Sequence, residues 1–350
     1  LEILPEVHKI AVLRANALGD YCFGLPALEA LRAAYPRAEI VLLAAGWVAA
    51  FASSRPGPVS RGVGVPVARG VGAPPDAPED PAELGRFFAA MAAERFDLAI
   101  QMHGGGRHSN PFLLRLGARH TAGLQAPDAP PLDRVVPYQF YQREVIRNLE
   151  VVGLVGARPV TLEPRVAVTP ADLAEAAALV PDDGRPLAVV HPGVGDERRR
   201  WPAASFAAVA RALASAGARV LLTGTRQDLA LCAEVAALAG GAAADVCDRL
   251  SLGGLAGLLS RCRVVVANDT GPLHLAAAVG AATVGVYWCG NVVIAGPMTQ
   301  ARHRAVISWR LACPVCGVDC TSGSCDHRVS FVAEAPLAEV LGHALELLRA

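Results

Sequence analysis

The sequence predicts an α/β protein built from two Rossmann-like domains. Three observations carry that prediction. Short β-rich apolar runs alternate with helical patterns through both halves. Prolines crowd the middle of the chain, as at a domain boundary. Several strands end in small polar or glycine-containing loops, where ligands of open parallel sheets sit. At 350 residues and 53% hydrophobic, the chain is long and apolar enough for two cores.

In the first half, strands fit Lys9–Arg14, Glu39–Ala44, Phe96–Met102 and His120–Leu124. Amphipathic helices fit Pro26–Ala34, Pro81–Arg95 and Phe140–Val152. The Pro-, Gly- and Ala-rich stretch Ser53–Asp80 reads as loop with one edge strand at most. Pro159, Pro164, Pro170 and Pro181–Gly184 mark the boundary, giving domains 1–170 and 171–350, the last helix being free to pack back on the first. The second half restarts with strands Leu187–His191, Arg219–Thr223, Arg263–Asn268 and Thr283–Tyr287. Helices fit Pro202–Ala216, Gln227–Leu238, Leu252–Leu259 and Pro272–Val279.

Charge narrows the function classes. The 32 Lys and Arg balance 32 Asp and Glu, which disfavours a nucleic-acid or acidic-membrane binder. No uninterrupted apolar run reaches 18 residues, since Leu275–Gly290 is broken by Gly280, Thr283 and Gly285. No signal-peptide pattern is visible, and nine cysteines, an odd number with five scattered through apolar segments, suit reduced thiols in a cytoplasm.

Three loops at strand ends could form a site. After the first strand, residues 15–20 carry Asn16, Gly19 and Asp20, with no G-x-G-x-x-G. Asp20 is either a helix cap or a carboxylate available as general base. After Leu187–His191 come Gly193, Gly195 and three arginines, Arg198–Arg200, ahead of Pro202 at the expected first helical position. That loop is either a solvated basic turn or a diphosphate site. After Arg263–Asn268, Asp269, Thr270, Gly271 and Pro272 open a helix whose N–H groups suit an anion, with His274 alongside.

These segments resemble glycosyltransferase family 9, the ADP-heptose:lipopolysaccharide heptosyltransferases. The likeness rests on Leu-Arg-x-x-x-Leu-Gly-Asp (13–20) with Leu-Pro-Ala-Leu (25–28), His-Pro-Gly through Arg-x-Trp-Pro (191–202), and Asn-Asp-Thr-Gly-Pro-Leu-His-Leu-Ala-Ala-Ala (268–278). It implies a GT-B fold, two Rossmann-like domains facing across a cleft, with acceptor on the first and nucleotide-sugar on the second. It also implies inverting transfer from an ADP-sugar, with Asp20 as catalytic base. By the same resemblance Arg199 stands where the family has a phosphate-binding lysine, and Asp269, Thr270, Gly271 and His274 are donor contacts. Leu250, Gly224 and Asp228 fall on segments facing the adenine, ribose or donor sugar. Arginine at 199 keeps the charge and can bind phosphate oxygens bidentately, though Arg198 and Arg200 stand beside it.

No Asp-x-Asp pair occurs, so protein cations are expected to replace a catalytic metal, and no cofactor is required. The segment 101–110, with His103 and Arg107, reads as an acceptor loop or an ordinary surface loop. The tail carries Cys313, Cys316, Cys320 and Cys325, open to free or disulfide-paired thiols, a structural zinc or an iron–sulfur cluster. The expected partners are an ADP-sugar and a glycan, glycolipid or small-molecule acceptor, with peripheral membrane contact left open. Rival readings are a sugar-nucleotide binder without turnover and an NAD(P) oxidoreductase.

Overall fold

The computed structural model describes residues 2–14 and 17–350 and divides into two units, Leu1–Ala167 and Val168–Ala350. The first contains β1 (Lys9–Leu13), α1 (Leu18–Ala34), β2 (Glu39–Ala44), α2 (Gly46–Ser53), β3 (Arg61–Gly64), β4 (Ala68–Arg69) and β5 (Gly72–Ala73). It continues with α3 (Pro81–Ala93), β6 (Leu98–Gln101), α4 (Ser109–Leu114), β7 (His120–Gln125), β8 (Arg134–Pro137) and α5 (Glu144–Gly153). Six strands form one parallel sheet in the order β3-β2-β1-β6-β7-β8. Its central strands are buried on both faces, which is why they read as continuous apolar runs without alternation.

Three elements differ from the sequence expectation. Helix α1 begins at Leu18, eight residues before Pro26, so Gly19 and Asp20 lie in its first turn and not in a loop. Pro26 removes one backbone donor, yet Leu18, Tyr21, Cys22, Leu25, Leu28 and Leu31 are all buried and hold the helix through it. Helix α5 starts at Glu144 because Phe140 and Tyr141 stay exposed while the carbonyls of Gln139, Phe140 and Gln142 accept hydrogen bonds from Arg147. The stretch 53–80 holds the edge strand β3 and also the short β4–β5 pair. Strand β3 runs so close to α2 that a Cβ on Gly62 would lie 2.3 Å from the Ala49 carbonyl oxygen.

The second unit contains α6 (Pro170–Leu179), β9 (Leu187–His191), α7 (Ala203–Ser215), β10 (Arg219–Leu222), α8 (Leu229–Ala239), β11 (Ala243–Asp245) and α9 (Leu252–Ser260). Then come β12 (Cys262–Asn268), α10 (Gly271–Ala278), β13 (Ala282–Trp288), α11 (Cys289–Ala295), β14 (His303–Ser308) and α12 (Leu337–Arg349). Its parallel sheet runs β11-β10-β9-β12-β13-β14. Trp201, Phe206, Leu213, Val264, Val284 and Val306 form its core. Helix α12 contributes Val340, Ala344 and Leu347 to that same core. Among the described residues no helix is long and apolar enough to cross a membrane.

Counted within its own unit, each six-stranded sheet has the order 3-2-1-4-5-6. The chain reverses direction across the sheet between β1 and β6, and again between β9 and β12. Loops leaving the carboxyl ends of those strand pairs diverge and leave room for a ligand.

Candidate functional site

At the first switch point the end of β1 delivers Arg14, a guanidinium only 4% exposed. Its Nη2 donates to Asp20 Oδ1 at 2.7 Å and to Glu144 Oε2 at 2.7 Å, while Nη1 donates to the Met102 carbonyl at 2.5 Å. Glu144 in turn pairs with the buried Arg147. Asp20 is the third residue of α1, and its Oδ2 accepts from the Ala17 N–H at 3.0 Å, so it reaches back over the helix start and is not the cap residue itself. Its side chain stays 27% exposed. A burial cost this large for Arg14 is met by two carboxylates and a carbonyl, which leaves Asp20 held in place with one edge in solvent.

His103 lies just past β6, is buried, and its Nε2 sits 3.2 Å from the Gly70 carbonyl. Burial pushes it down to about 4, the Arg14 charge adding to the effect and Asp20 opposing it. It is therefore neutral at pH 7. Gln101 stitches its loop down, donating to the carbonyls of His103 and Gly104 and accepting from the Leu124 N–H. Arg107 is 72% exposed and faces Asp128 at 3.6 Å, outside the Arg14 cluster. Asn16 lies outside the described residues.

At the second switch point Arg199, Asp269 and His274 converge. Arg199 Nη1 donates to Asp269 Oδ2 at 3.1 Å and its carbonyl at 3.3 Å, and His274 Nε2 lies 3.0 Å from Asp269 Oδ1. Burial alone would raise the Asp269 carboxyl, but the His274 hydrogen bond and the Arg199 charge outweigh it, and the group lies below the usual carboxylate range. Arg198 instead folds onto Asp196 at 2.7 Å, and Arg200 onto Glu197 at 3.3 Å. Thr270 is the cap position of α10, with Gly271 and Pro272 opening the helix; the Leu273 and His274 N–H groups donate to the Thr270 carbonyl, and the Gly271 N–H stands ahead of any intrahelical acceptor. Pro202 precedes α7 as its cap and is not its first residue.

Gly193, Gly224 and Asp228 form an adjoining group. A Cβ on Gly193 would fall 2.5 Å from the Asp228 carboxyl carbon, and one on Gly224 would fall 2.8 Å from Asp228 Cβ. Both glycines make room for that side chain, whose Oδ2 accepts from the Thr225 N–H and hydroxyl. Leu250 lies in the bend before Ser251, whose hydroxyl caps α9 at the Gly254 N–H. Buried His191 closes the neighbourhood, its Nδ1 3.0 Å from Thr223 Oγ1.

Two groups escaped the sequence reading. Glu144 and Arg147 complete the Arg14 network from more than 120 residues away, a pairing no local pattern announces. Asn268, a polar residue ending an apolar strand, is the signal that was there to find. In the tail, the ligand atoms of Cys313, Cys316, Cys325 and His327 all lie within 4.8 Å of one another. Cys320 is not in that group, and His327 takes the place expected for it. All nine cysteines are free thiols.

Two Rossmann-order sheets in one chain, each with a polar cluster at its switch point, define the GT-B fold. The chain belongs to glycosyltransferase family 9 (heptosyltransferase), whose profile matches residues 84–317. It is similar in structure to E. coli ADP-heptose lps heptosyltransferase II, at 18% identity and TM-score 0.75 over 98% of each chain. The family 9 glycosyl transferase of Veillonella parvula superposes at 19% identity and TM-score 0.78, covering 98% of this chain and 97% of that one. E. coli heptosyltransferase WaaC with ADP aligns at 20% identity and TM-score 0.62, covering 86% and 91%. No curated protein matches in sequence.

The buried histidine of the second unit sets a pH response. Burial lowers His191 from 6.5 to about 4, with Asp228 opposing. Between those values the unfolded chain binds a proton that the folded chain refuses, so stability is full above about pH 6.5 and falls as pH drops towards 4. The loss approaches about 3 kcal/mol for this one group. His191→Asn removes it, so the stability gap between wild type and variant, measured by urea unfolding, narrows by that order from pH 7 to pH 4. A gap that stays constant contradicts the assignment.

Proposed function

We propose that this chain transfers a heptose or related sugar from an ADP-sugar to an acceptor hydroxyl, with inversion and without a catalytic metal. The observation that carries the reading is the convergence of Arg199, Asp269 and His274 at the start of α10. Asp269 aims the guanidinium, whose other N–H groups remain for a diphosphate. As ADP departs it gains negative charge, which Arg199 and the Gly271 N–H at the start of α10 stabilise. Family membership supports sugar transfer, and the ADP bound to the similar WaaC supports an adenine diphosphate donor.

On the first unit, Asp20 takes the proton of the acceptor hydroxyl as that oxygen attacks the anomeric carbon. The Arg14 ion pair and the Ala17 N–H hold it while leaving one edge open. Neutral His103 beside it serves as a hydrogen-bonding wall for acceptor hydroxyls. The second reading, donor binding without turnover, draws on one observation: both Asp20 oxygens already accept hydrogen bonds, as those of a purely structural carboxylate do. Each oxygen keeps a further lone pair, which favours the base. ADP release from ADP-heptose with candidate glycan and glycolipid acceptors separates the two readings.

Three outcomes follow for the assay. Arg199→Ala weakens ADP-sugar binding about ten- to a hundredfold, the worth of a charge-assisted contact, with little change in melting temperature. If Arg198→Ala or Arg200→Ala has that effect instead, Arg199 is the wrong cation. Asp20→Asn keeps the hydrogen bond to Ala17, and Arg14 retains Glu144 as counter-charge, so the fold persists; kcat drops about 10²–10⁴-fold. Near-normal turnover removes Asp20 from the chemistry. Turnover also survives EDTA, and a full loss that magnesium or manganese restores would overturn transfer by protein cations alone.

A further inference from the structure

We infer that Cys313, Cys316, Cys325 and His327 form a structural zinc site that braces the arginine loop of the second unit. Four ligand atoms within 4.8 Å of one another, three thiols and an imidazole, are a complete donor set for tetrahedral zinc. The backbone is shaped for it. Cys313 and Cys316, with two residues between them, sit on a tight turn closed by the Gly317 N–H donating to the Cys313 carbonyl at 2.9 Å. Gly317 has φ +74°, a conformation that glycine adopts without strain. The turn is pinned again where the Cys313 N–H donates to the Val318 carbonyl at 2.8 Å.

His327 adds an independent sign. Its Nδ1 is shielded from solvent and has no hydrogen-bond partner among the described residues, a costly state for a ring nitrogen unless a ligand completes it. Cys320 lies next to Cys325 but outside the four mutually close ligand atoms, its thiol directed to the Val318 carbonyl at 3.5 Å. Three sulfurs and one nitrogen suit zinc better than an iron–sulfur cluster, which is held by thiolates.

The site also reaches the loop of Arg199. Just past His327, Ser330 Oγ donates to the Arg200 carbonyl at 2.7 Å and the Phe331 N–H donates to the Arg198 carbonyl at 2.7 Å. A metal that fixes residues 313–327 therefore fixes the segment on which the three arginines hang. This bracing role rests on the donor reading above, whereas zinc occupancy does not.

The test is elemental analysis of the full chain purified after zinc loading, with cobalt substitution to read geometry. The expected result is about one zinc per chain, and intense tetrahedral cobalt bands in the visible. Cys320→Ser keeps the metal; Cys316→Ser and His327→Ala lose it; His327→Cys regains it, which separates ligand loss from misfolding. Loss in Cys320→Ser with retention in His327→Ala overturns the ligand set, and stoichiometric iron or no metal overturns zinc. In metal-free His327→Ala, ADP affinity falls at least about tenfold while the second unit stays folded by circular dichroism. Unchanged ADP affinity in a metal-free variant overturns the brace, and unchanged metal content with lost ADP binding in Arg199→Ala leaves the zinc site standing.

Discussion

The Asn268 side chain is the joint on which the second unit's site depends. It is fully buried at the end of β12, its Nδ2 donating to the Pro192 carbonyl at 2.8 Å and its Oδ1 accepting from the Trp201 N–H at 2.9 Å. The eight residues between those two contacts carry Gly193, Asp196 and all three arginines. One amide thus closes the loop at both ends and places it beside Asp269, the next residue along. Trp201 is itself locked, stacked edge-on to Phe206 and donating through Nε1 to the Ala335 carbonyl. A buried amide with both ends satisfied specifies one loop arrangement where an apolar residue would permit several.

The first unit solves the same problem with charge. Burying Arg14 at a strand end would be prohibitive alone, and Asp20 and Glu144 make it tolerable. The geometry also ties α1 to α5 at the mouth of the switch point, with Arg147 closing the network onto the carbonyls of 139–142. Both units therefore use a polar contact at the carboxyl end of a central strand to hold a residue of the candidate site. In one it is an amide and in the other an ion pair.

Legibility followed the range of the interactions. The alternation of strands and helices, and the doubling of the Rossmann pattern, were visible because buried parallel strands need apolar runs whatever surrounds them. The Asp-Thr-Gly-Pro-Leu-His stretch was visible because a helix start, its cap and the acidic residue before it are local in sequence. Less legible were elements with weak patterns of their own. Helix α1 was read from Pro26 because a proline suggests a first turn, yet burial of Leu18, Tyr21 and Leu25 carries the helix through it. The fit of Gly193 and Gly224 against Asp228 was also illegible, because it joins residues that only the folded loops bring together.

What the sequence by itself determined is the class of fold and the strand ends at which polar residues gather. Those follow from periodicity, capping and composition, which act over a few residues. The tertiary structure decided which of three adjacent arginines meets Asp269, which carboxylates neutralise Arg14, and that His327 rather than Cys320 joins the three thiols. Each of those choices sets a side chain against a partner up to 130 residues away, and only the packed sheets bring such partners within hydrogen-bonding distance.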